Sequence, residues 1–433
     1  MESNTPEDSG PVVFHRHPRP YYPWVIWLLC ILLHFYNFML RASTYAVRPS
    51  IIAESTFTIG SITEFLDFYS YGLILLQIPI AILIDRYGPR RISSIGLLIA
   101  AIGAILFGYA EDIALQRIFL FIMGAGSTVA LLTALKIISN WFPHRYFAAM
   151  AGLTSCISVI GGGLGLYLTH YLTKTFAWRQ TIIDYGIIGI LYALLFFLIV
   201  RDSEPGRRFN INPTPSNIDF KTAIKKAFGR KESWLIALYS GCIIAPWTTF
   251  LAVWQIPFLK VSYKISTDTA ALINLTSILG FAIGAPVLGW ISTQAKKRKI
   301  FMILCPLLNI LFFCLKVYVP SIPAPLVGML SFLGTFFVAS SILSYTMTHE
   351  KNLPLVTATV IGLVLIFNNI IRIIHDSFLE HFFGNTPAQL SLLPIETIRL
   401  TLMIVPISSL IGVILILFVK DTKAEQLTEE PVT

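Results

Sequence analysis

Four residues able to grip an anion, His34, Asn37, Arg41 and Tyr45, recur at intervals of three and four inside a run that is otherwise mostly apolar. That spacing puts them on one face of a helix. A second stripe, Asn368, Arg372 and His375 or Asp376, sits in another apolar run near the far end of the chain. Guanidinium groups present paired N–H donors that match the geometry of a carboxylate or phosphate. Arg41 lies 18 residues beyond Pro23 and Arg372 lies 18 beyond Pro354. On straight helices each rises about 27 Å, so the two reach the same level. Two arginines at one level would make an anion site. The alternative is that both reach outward to a polar interface, which their height also allows.

The elements that must position these residues are membrane helices. Of 433 residues, 55% are hydrophobic and only 13% charged, far fewer charges than a water-facing surface carries. A soluble enzyme, a nucleic-acid-binding domain and a disordered chain are all poor fits. Helices crossing a bilayer need about 20 apolar residues. The chain offers twelve such spans, at 23–47, 61–84, 92–110, 114–140, 147–170, 180–200, 234–259, 269–292, 300–318, 324–346, 354–377 and 397–420. The expected fold is therefore all-α, with twelve transmembrane helices in two pseudo-symmetric bundles of six. Residues 1–200 form the first bundle. Residues 201–233 form a cytoplasmic basic linker with an amphipathic helix on the inner leaflet, and residues 234–433 form the second bundle and tail. With both termini inside, 21 of the 32 Lys and Arg fall on the cytoplasmic side, seven outside and four within spans. That bias sets the orientation. It also accounts for the net charge of +9 through topology and anionic lipid, without nucleic acid. Lys136 and Lys316, near span ends, are expected to reach an interface with their ammonium groups.

Other chemistries find no support. The five cysteines form no C-x-x-C pair, so neither a disulfide framework nor a metal site is indicated. No H-E-x-x-H or nucleotide-binding loop is present, so no enzyme activity and no cofactor are expected. Energy for any transport would come from an ion or solute gradient.

A family resemblance emerges at Gln77–Arg91. The run Ala81-Ile-Leu-Ile-Asp85-Arg-Tyr-Gly88-Pro-Arg90-Arg91 resembles the G-x-x-x-D-R-x-G-R-R loop of the major facilitator superfamily, with Ala81 at the first glycine. Trp141-Phe-Pro143, Trp178-Arg179, Trp254-Gln-Ile-Pro257 and Gly284-Ala-Pro-Val-Leu-Gly289 extend the similarity along the chain. The segment Asn37–Arg41 with Ser43 resembles the sialin-like anion:cation symporters more weakly. The superfamily resemblance implies that span 1 lines a central cavity. It also implies that Asp85 caps span 11, paired with Arg86, Arg90 or Arg91. With Gly88 these residues form a conformational clasp. The pseudo-repeat of Asp85 is Thr293, so a second clasp is expected to be degenerate. Span 7 is the pseudo-repeat of span 1, so Trp254 either lines the cavity or packs.

The expected substrate-binding set is His34, Asn37, Arg41, Tyr45, Trp254, Asn368 and Arg372. The embedded acids Glu64, Asp67, Asp184 and Asp376 all fall near outer ends. Asp67 lies 18 residues before Asp85, again about 27 Å from the cytoplasmic end, and so is expected to pair with Arg372 as an outer gate. The expected function is secondary active transport of a small anionic organic solute by alternating access. A proton or sodium ion is the candidate coupling ion. The chain is expected to act as a monomer in lipid, with both termini cytoplasmic, in a bacterial inner membrane. An exporter of amphiphilic drugs or metabolites is the second reading, and a non-transporting membrane sensor the third.

Overall fold

The computed structural model describes residues 21–54, 59–203, 220–384 and 389–427. Most of the expected linker, and the side chain of Glu64, lie outside the described residues. Twelve helices are long and apolar enough to cross a membrane. Spans 1 to 6 are Tyr22–Ala46, Phe65–Tyr87, Pro89–Tyr109, Ile113–Trp141, His144–Leu172 and Trp178–Ile199. Spans 7 to 12 are Lys231–Tyr263, Thr267–Gln294, Arg298–Tyr318, Ala324–Lys351, Pro354–Phe383 and Ile395–Leu417. Each overlaps one expected from the sequence. Their ends divide into a linker face, where span 6 ends and span 7 begins, and an opposite, distal face.

Within the first bundle, span 1 packs on span 5, span 2 on span 4, and span 3 on spans 4 and 6. The second bundle has span 7 on spans 11 and 12, span 8 on span 10, and span 9 on spans 10 and 12. The bundles meet where span 5 packs on span 8 and span 2 on span 11. At the first seam a Cβ added to Gly152 would lie 2.5 Å from the Ala285 backbone, so only glycine permits that approach. At the second, the small residue missing at Ala81 is supplied opposite. A Cβ on Gly362 would come 2.8 Å from the Ala81 methyl.

Three spans are irregular near mid-membrane. Span 4 breaks at Thr128, whose hydroxyl bonds back to the Gly124 carbonyl at 3.2 Å. Such back-bonding competes with the helix ladder. Span 7 contains Pro246 and then a π-turn at Phe250–Trp254. Span 10 tightens into a 3-10 turn at Ala339–Ile342. Irregular backbone at this depth is tolerated only inside protein or against a cavity.

The amphipathic segment is a helix at Phe220–Gly229. Its Ala223 and Ala227 are buried against Leu353, Val356 and Val360 of the span 10–11 turn. That part of its apolar face rests on protein, because the turn offers an apolar surface of its own.

Candidate functional site

Two polar networks join the bundles at the linker face. In the first, the buried Asp85 carboxylate accepts from Ala358 N–H at 3.1 Å, Thr359 N–H at 2.6 Å and the Thr359 hydroxyl at 2.7 Å. It thus caps span 11 from the other bundle, where the helix dipole favours a negative charge. Its cation is Lys136, with Nζ 2.6 Å from Oδ1. The same ammonium donates to the Pro354 carbonyl at 2.9 Å. Lys136 is 3% exposed and does not reach an interface, because a buried carboxylate needs a buried partner.

None of the three arginines expected beside Asp85 holds it. Arg90 donates through its backbone N–H to Asp202 at 2.7 Å and through Nε to the Phe197 carbonyl at 2.7 Å. It ties span 3 to the end of span 6 within one bundle. Arg86 lies over the Tyr87 ring, and Arg91 is exposed with Asp202 in electrostatic reach. Burial pushes the Asp202 carboxyl above its ordinary value, against the pull of Arg90 and Arg91. Gly88 turns the chain at φ 91°, and a Cβ there would strike the Asp202 carboxylate at 2.7 Å. The reason is reach: Arg90 and Arg91 follow the turn, Arg86 is exposed on the last turn before it, and only Lys136 meets the buried carboxylate.

The second network replaces the degenerate repeat with an acid from another helix. Glu350, at the end of span 10, meets Arg298 Nη2 at 2.9 Å, and Arg298 Nη1 bonds Ser292 at 2.6 Å and Thr293 at 2.7 Å. From the first bundle, His144 Nε2 lies 3.3 Å from the same carboxylate oxygen. Phe147 stacks on His349 with centroids 4.3 Å apart. The C-terminal tail joins in: Thr422 donates to Glu350, and Leu427 N–H bonds the Glu350 carbonyl at 2.8 Å. Sequence reading missed Glu350 and His144, since neither lies in a repeated motif.

The arginine stripes converge farther into the bundle. Arg372 Nη1 lies 2.5 Å from Asp376 Oδ2, and Thr249 of span 7 donates to the other oxygen at 2.6 Å. Arg41 of span 1 bonds Tyr45 and has Tyr69 and Asp376 in electrostatic reach. Asp376 is thus paired with Arg372 and within electrostatic reach of Arg41 from the other bundle. Arg372 Nε and Nη2, Asn37 Oδ1, His34 Nδ1, Asn368 Oδ1 and His375 Nε2 are buried without a hydrogen-bond partner. Asn37 also donates to the Leu33 carbonyl, and Asn368 to the Tyr345 hydroxyl.

Two expectations do not match this geometry. Arg372 takes its acid from its own helix, one turn on, and not from Asp67, because the i, i+4 neighbour is in reach without any closure. Asp67 is within electrostatic reach of Glu380, as are Asp376 and Arg48. Trp254 is 2% exposed and packs edge-on against Phe383 at 5.0 Å. It fills the distal core of the second bundle because the π-turn rotates it away from the seam.

The pattern of the Major Facilitator Superfamily matches residues 29–374, and the chain belongs to that superfamily of membrane transporters. It is an integral, multi-pass membrane protein. Among curated relatives it is 24% identical to the uncharacterized transporter YybO of Bacillus subtilis, over 59% of this chain and 61% of that one. It is 20% identical to the probable sulfoacetate transporter SauU of Cupriavidus necator, over 63% and 65%, and 22% identical to the hexuronate transporter of Bacillus subtilis, over 60% and 62%. The chain thus matches less than two thirds of the length of each. Its fold is similar to that of the proton:xylose symporter XylE bound to 6-bromo-6-deoxy-D-glucose, with TM-score 0.70 and 14% identity over 94% of this chain and 98% of that one. The family and these relatives are transporters, not enzymes.

Proposed function

We propose that this protein is a secondary transporter of a small organic anion, working by alternating access with a proton as the coupling ion. The observation that carries the reading is the Arg41–Asp376–Arg372 cluster. Arg372 pairs with the Asp376 carboxylate while Arg41 lies within its electrostatic reach, so two positive charges face one negative. Charges at this depth are costly unless they face a partner or a cavity. Arg372 keeps a nitrogen edge without a partner, oriented to take a carboxylate in two parallel hydrogen bonds. Asp376 occupies the arginines while no substrate is bound. Its protonation releases them, and a substrate carboxylate takes its place. The names of the hexuronate and sulfoacetate relatives fit a carboxylate or sulfonate solute.

In this reading the linker face is cytoplasmic, as the distribution of basic residues favours, in a bacterial inner membrane, with a monomer as the working unit. The Asp85 cap on Ala358 and Thr359, the Lys136 bond to the Pro354 carbonyl and the Glu350–His144 contact are the inner clasps, made when the cytoplasmic side is shut and parted when it opens. The direct test is uptake into proteoliposomes of labelled hexuronate, galactonate, sulfoacetate and 4-hydroxybenzoate, with and without imposed proton and sodium gradients. Saturable uptake driven by a proton gradient supports the proposal. Absence of uptake for every acid, with extrusion of cationic dyes instead, would replace it with the amphiphile exporter.

A further inference from the structure

Spans 1 and 11 carry the same pair at the same spacing, Asn37-x-x-x-Arg41 and Asn368-x-x-x-Arg372. Both spans start at the linker face, so each asparagine lies one turn nearer that face than its arginine, on the same side of its helix. Asn37 is 4% exposed and donates an amide N–H to the Leu33 carbonyl at 2.9 Å. A carbonyl can only accept, so this amide cannot be turned round. Its oxygen is left as an acceptor without a donor. His375, on the stripe of Arg372, is fixed in the same way. Its Nδ1 lies 2.8 Å from the Ile371 carbonyl and must carry the proton there, which leaves Nε2 of the neutral ring as a buried lone pair without a donor. Asn368 bonds the Tyr345 hydroxyl at 3.2 Å, and its amide oxygen has no donor either.

The arginines and these acceptors make opposite demands on a solute. Arg372 keeps Nε and Nη2 without partners and calls for an anion, while the amide oxygens and the imidazole nitrogen call for donors. The cluster is not sealed: the Arg372 and Asp376 side chains are 19% and 28% exposed. Charges are not left facing lipid, and the clasps shut the linker face, so this opening holds water and leads to the distal side. Water can serve the acceptors while no solute is bound. A solute that displaces it must supply the same hydrogen bonds or lose affinity. An ammonium group would donate, but two guanidinium groups facing one carboxylate repel it. Hydroxyl groups donate without a charge.

We infer that the solute is a polyhydroxylated carboxylate of the sugar-acid type. Its carboxylate meets Arg41 and Arg372, and hydroxyls about 6 Å along its chain, one helical turn, donate to Asn37 and Asn368. The inference rests on the anion-transport reading and narrows it: alkyl, aromatic and amino acids would leave the buried acceptors unpaired or bring a second positive charge.

The test is binding to the purified full chain in nanodiscs, read as the half-saturating concentration for a rise in Tm. The probes are gluconate, hexanoate, glutamate and glucose, at matched ionic strength. Gluconate should bind about 100-fold more tightly than hexanoate, about tenfold for each asparagine oxygen that hexanoate leaves unpaired. Asn37→Leu keeps the size of the side chain and loses the acceptor. It should weaken gluconate binding about tenfold and leave hexanoate binding unchanged. Asn368→Leu should do the same, so the outcome does not hang on the folding of one variant. Equal binding of gluconate and hexanoate, or binding of glutamate as tight as that of gluconate, overturns this inference and leaves the anion reading standing. Binding of glucose as tight as that of gluconate, or no response to any of the acids, overturns the anion reading and this inference with it.

Discussion

The Arg372 guanidinium lies 2.5 Å from the Asp376 carboxylate, one turn along the same helix, and Arg41 of the first bundle is within electrostatic reach of that carboxylate. An ion pair within one helix survives rigid-body motion of the bundles, whereas the electrostatic pull of Arg41 changes with it. Ionised Asp376 therefore keeps Arg372 in every state and acts on Arg41 only in some, until a proton releases both.

Asp376→Asn removes the acid but keeps a similar shape. Exchange of labelled for unlabelled substrate should persist in this variant, while accumulation driven by a pH gradient should be lost. Comparing counterflow with gradient-driven uptake in the same vesicles checks this. Gradient-driven uptake at the wild-type level would remove Asp376 as the proton carrier.

Arg41→Ala should weaken binding of the anion by about 10- to 100-fold, the usual worth of a charge-assisted hydrogen bond, with little effect on expression. Arg41→Lys should recover little, since an ammonium cannot offer two parallel donors. Substrate protection against thermal unfolding measures both. Wild-type affinity in Arg41→Ala would mean that Tyr45 and Asp376 are its only business.

Lys136→Ala leaves Asp85 buried among three donors but without a cation. Linker-face closure should become less favourable. A Ser139→Cys probe, in a background whose own five cysteines are replaced, should label faster with an impermeant thiol reagent when Lys136→Ala is added. Asp85→Asn should act in the same direction, since it loses the charge facing both Lys136 and the span 11 dipole. Equal labelling rates would leave the pair with a folding role only.

Gly152→Val tests the seam between spans 5 and 8. The new side chain cannot share space with the Ala285 backbone, 2.5 Å from the added Cβ. The two spans should be held apart, with transport nearly abolished and Ser139→Cys labelled at its fastest rate. Normal transport in Gly152→Val would show that the spans do not close to this distance during the cycle.

Much of the fold was legible because bilayer thickness dictates helix length, so twelve apolar runs could be counted directly. The stripes carrying Arg41 and Arg372 were also legible from their intervals of three and four, since each lies on continuous helix. Counting could not say which way a side chain turns. Lys136 and Lys316 both lie near span ends and looked free to reach water, yet one answers a buried carboxylate and the other faces an aromatic pocket. Asp67 was level with Arg372 but lost to a nearer acid. Glu350 escaped notice because its partners, Arg298, His144 and Thr422, are scattered over more than half the chain and meet only after folding. Trp254 was misread because a π-turn shifts the register of everything after it, and no local residue pattern announced one.

The tail bonds of Thr422 and Leu427 have a practical side. The same few residues touch the acid at the end of span 10 and, through Leu427, the apolar patch under the linker helix. An affinity handle or fluorescent fusion placed at that end pulls on the latch of the molecule it is meant to report. Kinetics from C-terminally tagged protein should differ from those of an internally or N-terminally tagged form. The mismatch should shrink when a long flexible spacer is inserted after Leu427.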